Sequence, residues 1–166
     1  IPLVEKQISN GGSVDLYQHL CMENALTMMH ETAVGAGLEG ISALQKSEIM
    51  QILQQVATLR LNAFSRPREC YFQTRKKKQP DGNWTTSIEM GIEGDGNDVI
   101  LRNFGHGVEE VYPYWDVHVD DEFTYPVHHG IDVEPPTWKR CGTGKYARVV
   151  YPVRFTDGTV RYFISE

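Results

Sequence analysis

The stretch Lys145-Tyr146-Ala147-Arg148-Val149-Val150-Tyr151-Pro152-Val153-Arg154-Phe155-Thr156-Asp157-Gly158-Thr159-Val160-Arg161-Tyr162-Phe163-Ile164 decides the fold class. Two runs rich in Val, Tyr and Phe enclose Asp157-Gly158, where Gly supplies the positive φ of a tight turn, so a β-hairpin is expected. Pro152 has no backbone N–H to give to a ladder, which predicts an edge position or a bulge in the first strand. Upstream, residues 68–74 and 84–90 read as strands of another hairpin, joined by a long basic tip over 75–83 that contains the turn Pro80-Asp81-Gly82. Residues 108–119 read as a central strand carrying one Pro, 120–122 as a polar turn and 123–125 as a short return strand. Residues 126–140, rich in Pro and His, read as irregular.

Helices precede the strands. Leu16, Leu20, Leu26, Met29 and Ala33 recur near helical spacing, with Ser13 or Asp15 as a cap and Gly35 and Gly37 as a stop. Ile49, Ile52, Leu53, Val56 and Leu59 mark one face of a second helix, behind Ser42-x-x-Gln45 or Ser47 and closing at Leu61-Asn62. Met22, Met28 and Met29 suit adaptable core or a subunit contact better than a metal. A short helix is expected after Gly96, capped by Asp95 or Asn97 and stopped at Gly105. The expected class is α+β: N-terminal helices, two β-hairpins and a central strand forming a small antiparallel sheet packed on helices. Residues 1–15 are expected to be an N-terminal arm or linker ending in Gly11-Gly12, and 16–166 one core domain.

The chain has 166 residues, 40% of them apolar, enough for a core without metal or disulfide staples. No apolar run is long enough to span a bilayer. The start IPLVEKQISNGG has neither the basic nor the apolar region of a secretion signal, and no Met opens it. The expectation is a piece of a longer protein in the cytoplasm of a bacterial cell, without a membrane partner. Cys21, Cys70 and Cys141 are widely spaced and odd in number, which fits reduced thiols rather than a disulfide framework.

The net charge is −6, but it is unevenly spread. Residues 60–78 carry seven basic side chains and one acid, 89–134 twelve acids and one basic residue, and 139–161 six basic residues and one acid. Two basic segments therefore flank an acidic one. Either these are solvated faces that cancel, or folding joins the basic segments into one stripe able to hold a polyanion by counterion release. Aromatics accompany the cations: Phe64, Tyr71 and Phe72 in the first, Tyr146, Tyr151, Phe155 and Tyr162 in or beside the second. Rings beside cations suit a single-stranded nucleic acid, and equally suit ordinary strand core.

Motifs for covalent chemistry are weak. Gly91-x-x-Gly94-x-Gly96 reverses the dinucleotide spacing and has no following Lys-Ser/Thr, so a tight strand-to-helix turn is the expected role. Glu93, Asp95 and Asp98 could offer oxygens to Mg²⁺ or Ca²⁺, though not with EF-hand spacing. His106, His118, His128 and His129 lack a zinc pattern. No Ser/His/Asp or Cys/His set is placed for catalysis.

From about Leu44 to Glu166 the arrangement resembles the RecT/Redβ-type phage recombinases, the single-strand DNA annealing proteins. The helix from Ser47-Glu48-Ile49-Met50 to Leu59, then Leu61-Asn62 and Glu69-Cys70-Tyr71-Phe72, is similar to that family's helix, G-L-N-P and E-x-Y-F passage. Met90-Gly91-Ile92-Glu93-Gly94 with Arg102-Asn103-Phe104-Gly105 resembles its I-G-Y-K-G, helix, R-x-G core. Asp121-Glu122-Phe123 resembles an N-D-E-F turn, and Arg148-Val149-Val150-Tyr151 to Asp157-Gly158 its last hairpin. Arg60 stands where the family usually has Gly, Ala63 where it has Pro, and Glu93 where a basic residue is common.

The resemblance implies ATP-independent annealing without covalent chemistry, by rings or filaments on DNA that work with a phage exonuclease. Single-stranded DNA, the annealed duplex and further copies of the chain are the implied partners. No cofactor is required and Mg²⁺ is optional. The implied DNA-binding residues are Lys139, Arg140, Lys145, Arg148, Arg154 and Arg161 around the second hairpin, and Arg75, Lys76 and Lys78 on the first. Trp138 is read as a stacking or interface residue, or as a buried anchor. Two other readings remain open: a metal-dependent nuclease or hydrolase using the acidic segment, and a phage structural or interaction module.

Overall fold

A computed structural model describes residues 1–10 and 13–166. The fold is α+β, and contacts divide it into two compact units, Ile1–Ile100 and Leu101–Glu166, where the sequence suggested one domain from residue 16. The expected single sheet is also divided. The first hairpin pairs only with itself, while the second belongs to a separate sheet in the second unit. Hydrophobic period marks a strand but not its partner, which non-local packing chooses.

In the first unit, α1 (Pro2–Ile8) replaces the expected arm, and its Val4 is buried in the core; Gly11 and Gly12 lie outside the described residues. The helix α2 (Leu16–Gly35) begins with a capping box: the Asp15 carboxylate accepts from Gln18 N–H at 2.8 Å and the Gln18 side chain accepts from Asp15 N–H at 3.1 Å. Its buried face is Cys21, Met22, Ala25, Met28, Met29 and Ala33, a stripe displaced from the expected one, with Leu16 85% exposed. The three methionines fill core space. α3 (Lys46–Leu59) buries Ile52, Leu53, Val56 and Ala57; its N-cap is Gln45, without a side-chain bond, rather than a Ser.

β1 (Cys70–Lys78) and β2 (Trp84–Ile92) pair antiparallel along their whole length, so Arg75 to Lys78 are strand residues and not part of the turn. The proximal end carries buried Cys70, Phe72 and Ile88, and the distal end is exposed. Glu48 of α3 secures the β2 edge, accepting from Ser87 Oγ at 2.7 Å and Ile88 N–H at 3.1 Å. α4 (Gly94–Phe104) follows a sharp turn in which Glu93 N–H donates to the Glu69 carbonyl at 3.0 Å. A Cβ on Gly96 would lie 1.9 Å from that carbonyl oxygen, so this glycine of the run serves close backbone approach.

The second unit is organised by β9 (Tyr146–Phe155), a central strand, so of the two places expected for Pro152, an edge or an irregularity in the pairing, the edge is excluded. β10 (Val160–Ser165) flanks it on one side, and β3 (Val108–Val111) and β4 (Trp115–His118) lie in succession on the other. Pro152 falls opposite the break between β3 and β4, where its carbonyl accepts from Tyr112 N–H at 3.0 Å and no ladder donor is demanded. The stretch expected to be irregular is an interrupted hairpin: β5 (Glu122–Thr124) pairs with β8 (Thr137–Lys139), and β6 (Val127–His129) with β7 (Asp132–Glu134). Val111, Val117, Val150 and Val153 are buried here together with Pro136 and Pro152, a small core rimmed by half-buried rings.

Candidate nucleic-acid interface

On the first hairpin, strand alternation splits the cations between two faces. Lys76 and Lys78 stand opposite Thr86 and Trp84, so they share a face with the Trp84 ring, which is 65% exposed. A shallow concavity of about 440 Å³ is lined by Lys76, Trp84, Thr85 and Thr86. Arg75 and Lys77 take the other face. Arg75 is compensated by Glu89 at 3.0 Å, whereas Lys76, Lys77 and Lys78 are exposed and in no ion pair among the described residues. Lys77 is not among the sequence-derived site residues, since alternation carries no meaning in a tip spanning 75–83; Trp84 is read there as a strand residue, and only the pairing of Lys78 with Trp84 sets its ring beside the cations.

The cations around the second hairpin separate into compensated and free. Lys139 lies 3.9 Å from Glu122. Arg140 is held by Asp116, donating to its carboxylate at 2.6 Å and its carbonyl at 2.8 Å, with the guanidinium over the Trp138 ring at 5.2 Å. Arg148 is turned inward: its side chain is 23% exposed and lies over Phe123 at 4.8 Å and Tyr125 at 5.2 Å. Its Nε, 3.3 Å from Glu166, is buried without a hydrogen bond, and Glu166 accepts from the Tyr125 hydroxyl. Lys145, Arg154 and Arg161 are exposed and in no ion pair among the described residues. Arg154 lies over Tyr112 at 5.4 Å and Arg161 over Phe155 at 4.9 Å.

These cations do not form one stripe within the second unit. Arg154 pairs in register with Val160, so Arg161, the next residue along, points to the opposite face. Charge counted along a sequence averages over both faces of a strand.

The Arg154 face opens on a groove that the sequence did not reveal. Its volume is about 600 Å³, and Tyr112, Trp115, Trp138, Pro152, Arg154 and Tyr162 are among its lining residues. Trp115 stacks on Trp138 with centroids 5.8 Å apart and meets Tyr162 at 6.1 Å. Trp138 is half-buried, and its indole N–H donates to Asp121 at 2.9 Å. Asp121 also accepts from the N–H groups of His118 and Cys141, each at 2.9 Å. The indole bond first, and then the backbone donors, hold the Asp121 carboxyl well below the usual carboxylate range. The cluster Tyr112-Pro113-Tyr114-Trp115 was the available signal, but it reads as strand until Pro113 separates β3 from β4.

Burial pushes the Cys21 thiol up to about 12 and the Cys70 thiol up to about 11, while Cys141 is exposed. Among the described residues no group of three or more His, Cys, Asp or Glu is arranged to hold a metal ion, and no helix is long and apolar enough to cross a membrane. His118 is engaged with the Gly144 carbonyl at 2.5 Å, and His129 lies 3.3 Å from Glu134. The chain matches no family model, no curated protein and no solved structure.

Proposed function

We propose that the chain binds single-stranded DNA and anneals complementary strands without nucleotide hydrolysis, acting as an assembly of copies alongside an exonuclease. The observation that carries this reading is the set of uncompensated cations on a chain of net charge −6. Carboxylates pair with Arg75, Lys139, Arg140 and Arg148. Lys76, Lys77 and Lys78 on β1, with Lys145, Arg154 and Arg161 at β9 and β10, are left facing solvent. Cations standing free in an acid-rich chain favour a polyanionic ligand, and neighbouring rings favour one with exposed bases.

Fluorescence anisotropy with a labelled single-stranded oligonucleotide across a salt series tests the binding. The logarithm of affinity is expected to fall linearly with the logarithm of salt concentration. Replacing Lys76, Lys77 and Lys78 together by Gln should reduce the slope by about 2, at roughly 0.7 per phosphate contact. Complementary oligonucleotides mixed without nucleoside triphosphate should anneal faster with the protein, and lose that gain at salt concentrations that abolish binding. Salt-independent binding, or no acceleration at any salt, removes the annealing function.

A further inference from the structure

We infer that the Tyr112–Trp115–Trp138–Tyr162 groove is a nucleobase-stacking site that makes the protein select single strands over duplex. The inference rests on the binding function proposed above and adds its specificity. At about 600 Å³ the groove falls within the ~300–1,000 Å³ range of ligand clefts, ample for a base and its sugar. Its lining is aromatic and aliphatic with one cation, Arg154, and contains no carboxylate, although the surrounding segment is the most acidic in the chain. Asp116, next in sequence to Trp115, is held by Arg140 at 2.6 Å.

That combination suits a nucleotide. The aromatic lining offers a base a π-surface to lie on, and Arg154 in the same lining is placed to meet its phosphate. The Trp138 platform is oriented in advance by the Asp121 bond at 2.9 Å, so little ordering remains to be done on binding. Bases inside a duplex have both faces covered by their neighbours and cannot enter, whereas those of a single strand can. Cations alone would hold both forms.

The test uses the full chain with Trp84→Phe, so that fluorescence reports Trp115 and Trp138, the other two of its three tryptophans. The probes are oligodeoxythymidylate, a base-free deoxyribose-phosphate polymer of equal length, and a duplex. Oligodeoxythymidylate should quench the emission and bind about five- to a hundredfold more tightly than the base-free polymer. Tyr162→Leu should remove most of that ratio and Tyr162→Phe restore it, while affinity for the base-free polymer, the control for folding, stays constant. Equal affinity for the polymers with and without bases overturns the inference and leaves polyanion binding standing. A ratio unchanged in Tyr162→Leu also overturns it, and no binding to any of the three probes ends both proposals.

Discussion

Arg148 and Arg154 share a strand face by alternation, yet the structure gives them opposite duties, and their replacement by Ala should separate stability from binding. Arg148 lies over two rings at 4.8 Å and 5.2 Å. A partly desolvated cation over a ring contributes about 0.5–2 kcal/mol, and the buried stem adds packing. Against this, the Nε buried without a hydrogen bond costs on the order of 1 kcal/mol, which truncation relieves. The net loss is about 1–2 kcal/mol, or a urea midpoint lower by roughly 0.5–1 M at a slope near 2 kcal/mol/M. Arg154, exposed, over the single ring of Tyr112 at 5.4 Å and in no ion pair among the described residues, should change stability by no more than about 0.5–1 kcal/mol. Its removal should instead lower the salt slope of single-strand binding by about 0.7. Urea unfolding followed by circular dichroism gives the first quantity and anisotropy across salt the second. If Arg148→Ala weakens binding at an unchanged midpoint, the inward assignment of Arg148 is wrong.

Three further perturbations test the first unit. Gly96→Ala places a Cβ 1.9 Å from the Glu69 carbonyl oxygen. It should destabilise by about 1–3 kcal/mol despite the gain in helix propensity, whereas Gly94→Ala meets nothing within 4 Å and should be neutral or stabilising in the same denaturation assay. Glu48→Ala leaves the Ser87 hydroxyl and Ile88 N–H without their acceptor and should cost about 1–3 kcal/mol; Glu48→Gln, keeping one acceptor, should cost less. His19 is held 2.5 Å from Glu5 of α1 and 3.1 Å from Glu23, and these carboxylates, Glu5 foremost, raise its pKa. A raised folded-state value means that the stabilisation is complete below about pH 6.5 and is lost as pH rises through the folded value. Amide-exchange protection of α1 should therefore fall as the pH rises above about 6.5, and His19→Gln should abolish that pH dependence.

Arg60 illustrates how local and non-local information part company. Its position at the end of α3 was legible, and so was the departure from Gly. The backbone there is left-handed, with φ 57° and ψ 43°, a conformation Gly adopts without strain. What holds an arginine in it is remote in sequence: the guanidinium reaches Asp15 at 2.5 Å, across 45 residues, and lies over Tyr17 at 5.1 Å. Similarly, the Asp157-Gly158 turn could be read directly, with Gly158 at φ 86°, because a turn is a property of four consecutive residues. The shift of the α2 stripe from Leu16 and Leu20 to Cys21 and Met22 could not be read, since an end of a helix is covered only if some distant element reaches it.

By itself the sequence determined the α+β class, the last hairpin with its turn and the start of α2, because φ preferences, capping and hydrophobic period act within a few residues. It also located the segments where cations concentrate. Tertiary structure alone decided which strands pair, that β9 is central, that Arg148 turns onto Phe123 and Tyr125 while Arg154 stays in solvent, and that Tyr112, Trp115, Trp138 and Tyr162 meet around one groove. Each of those outcomes is a competition for burial among side chains far apart along the chain, and periodicity cannot state its result.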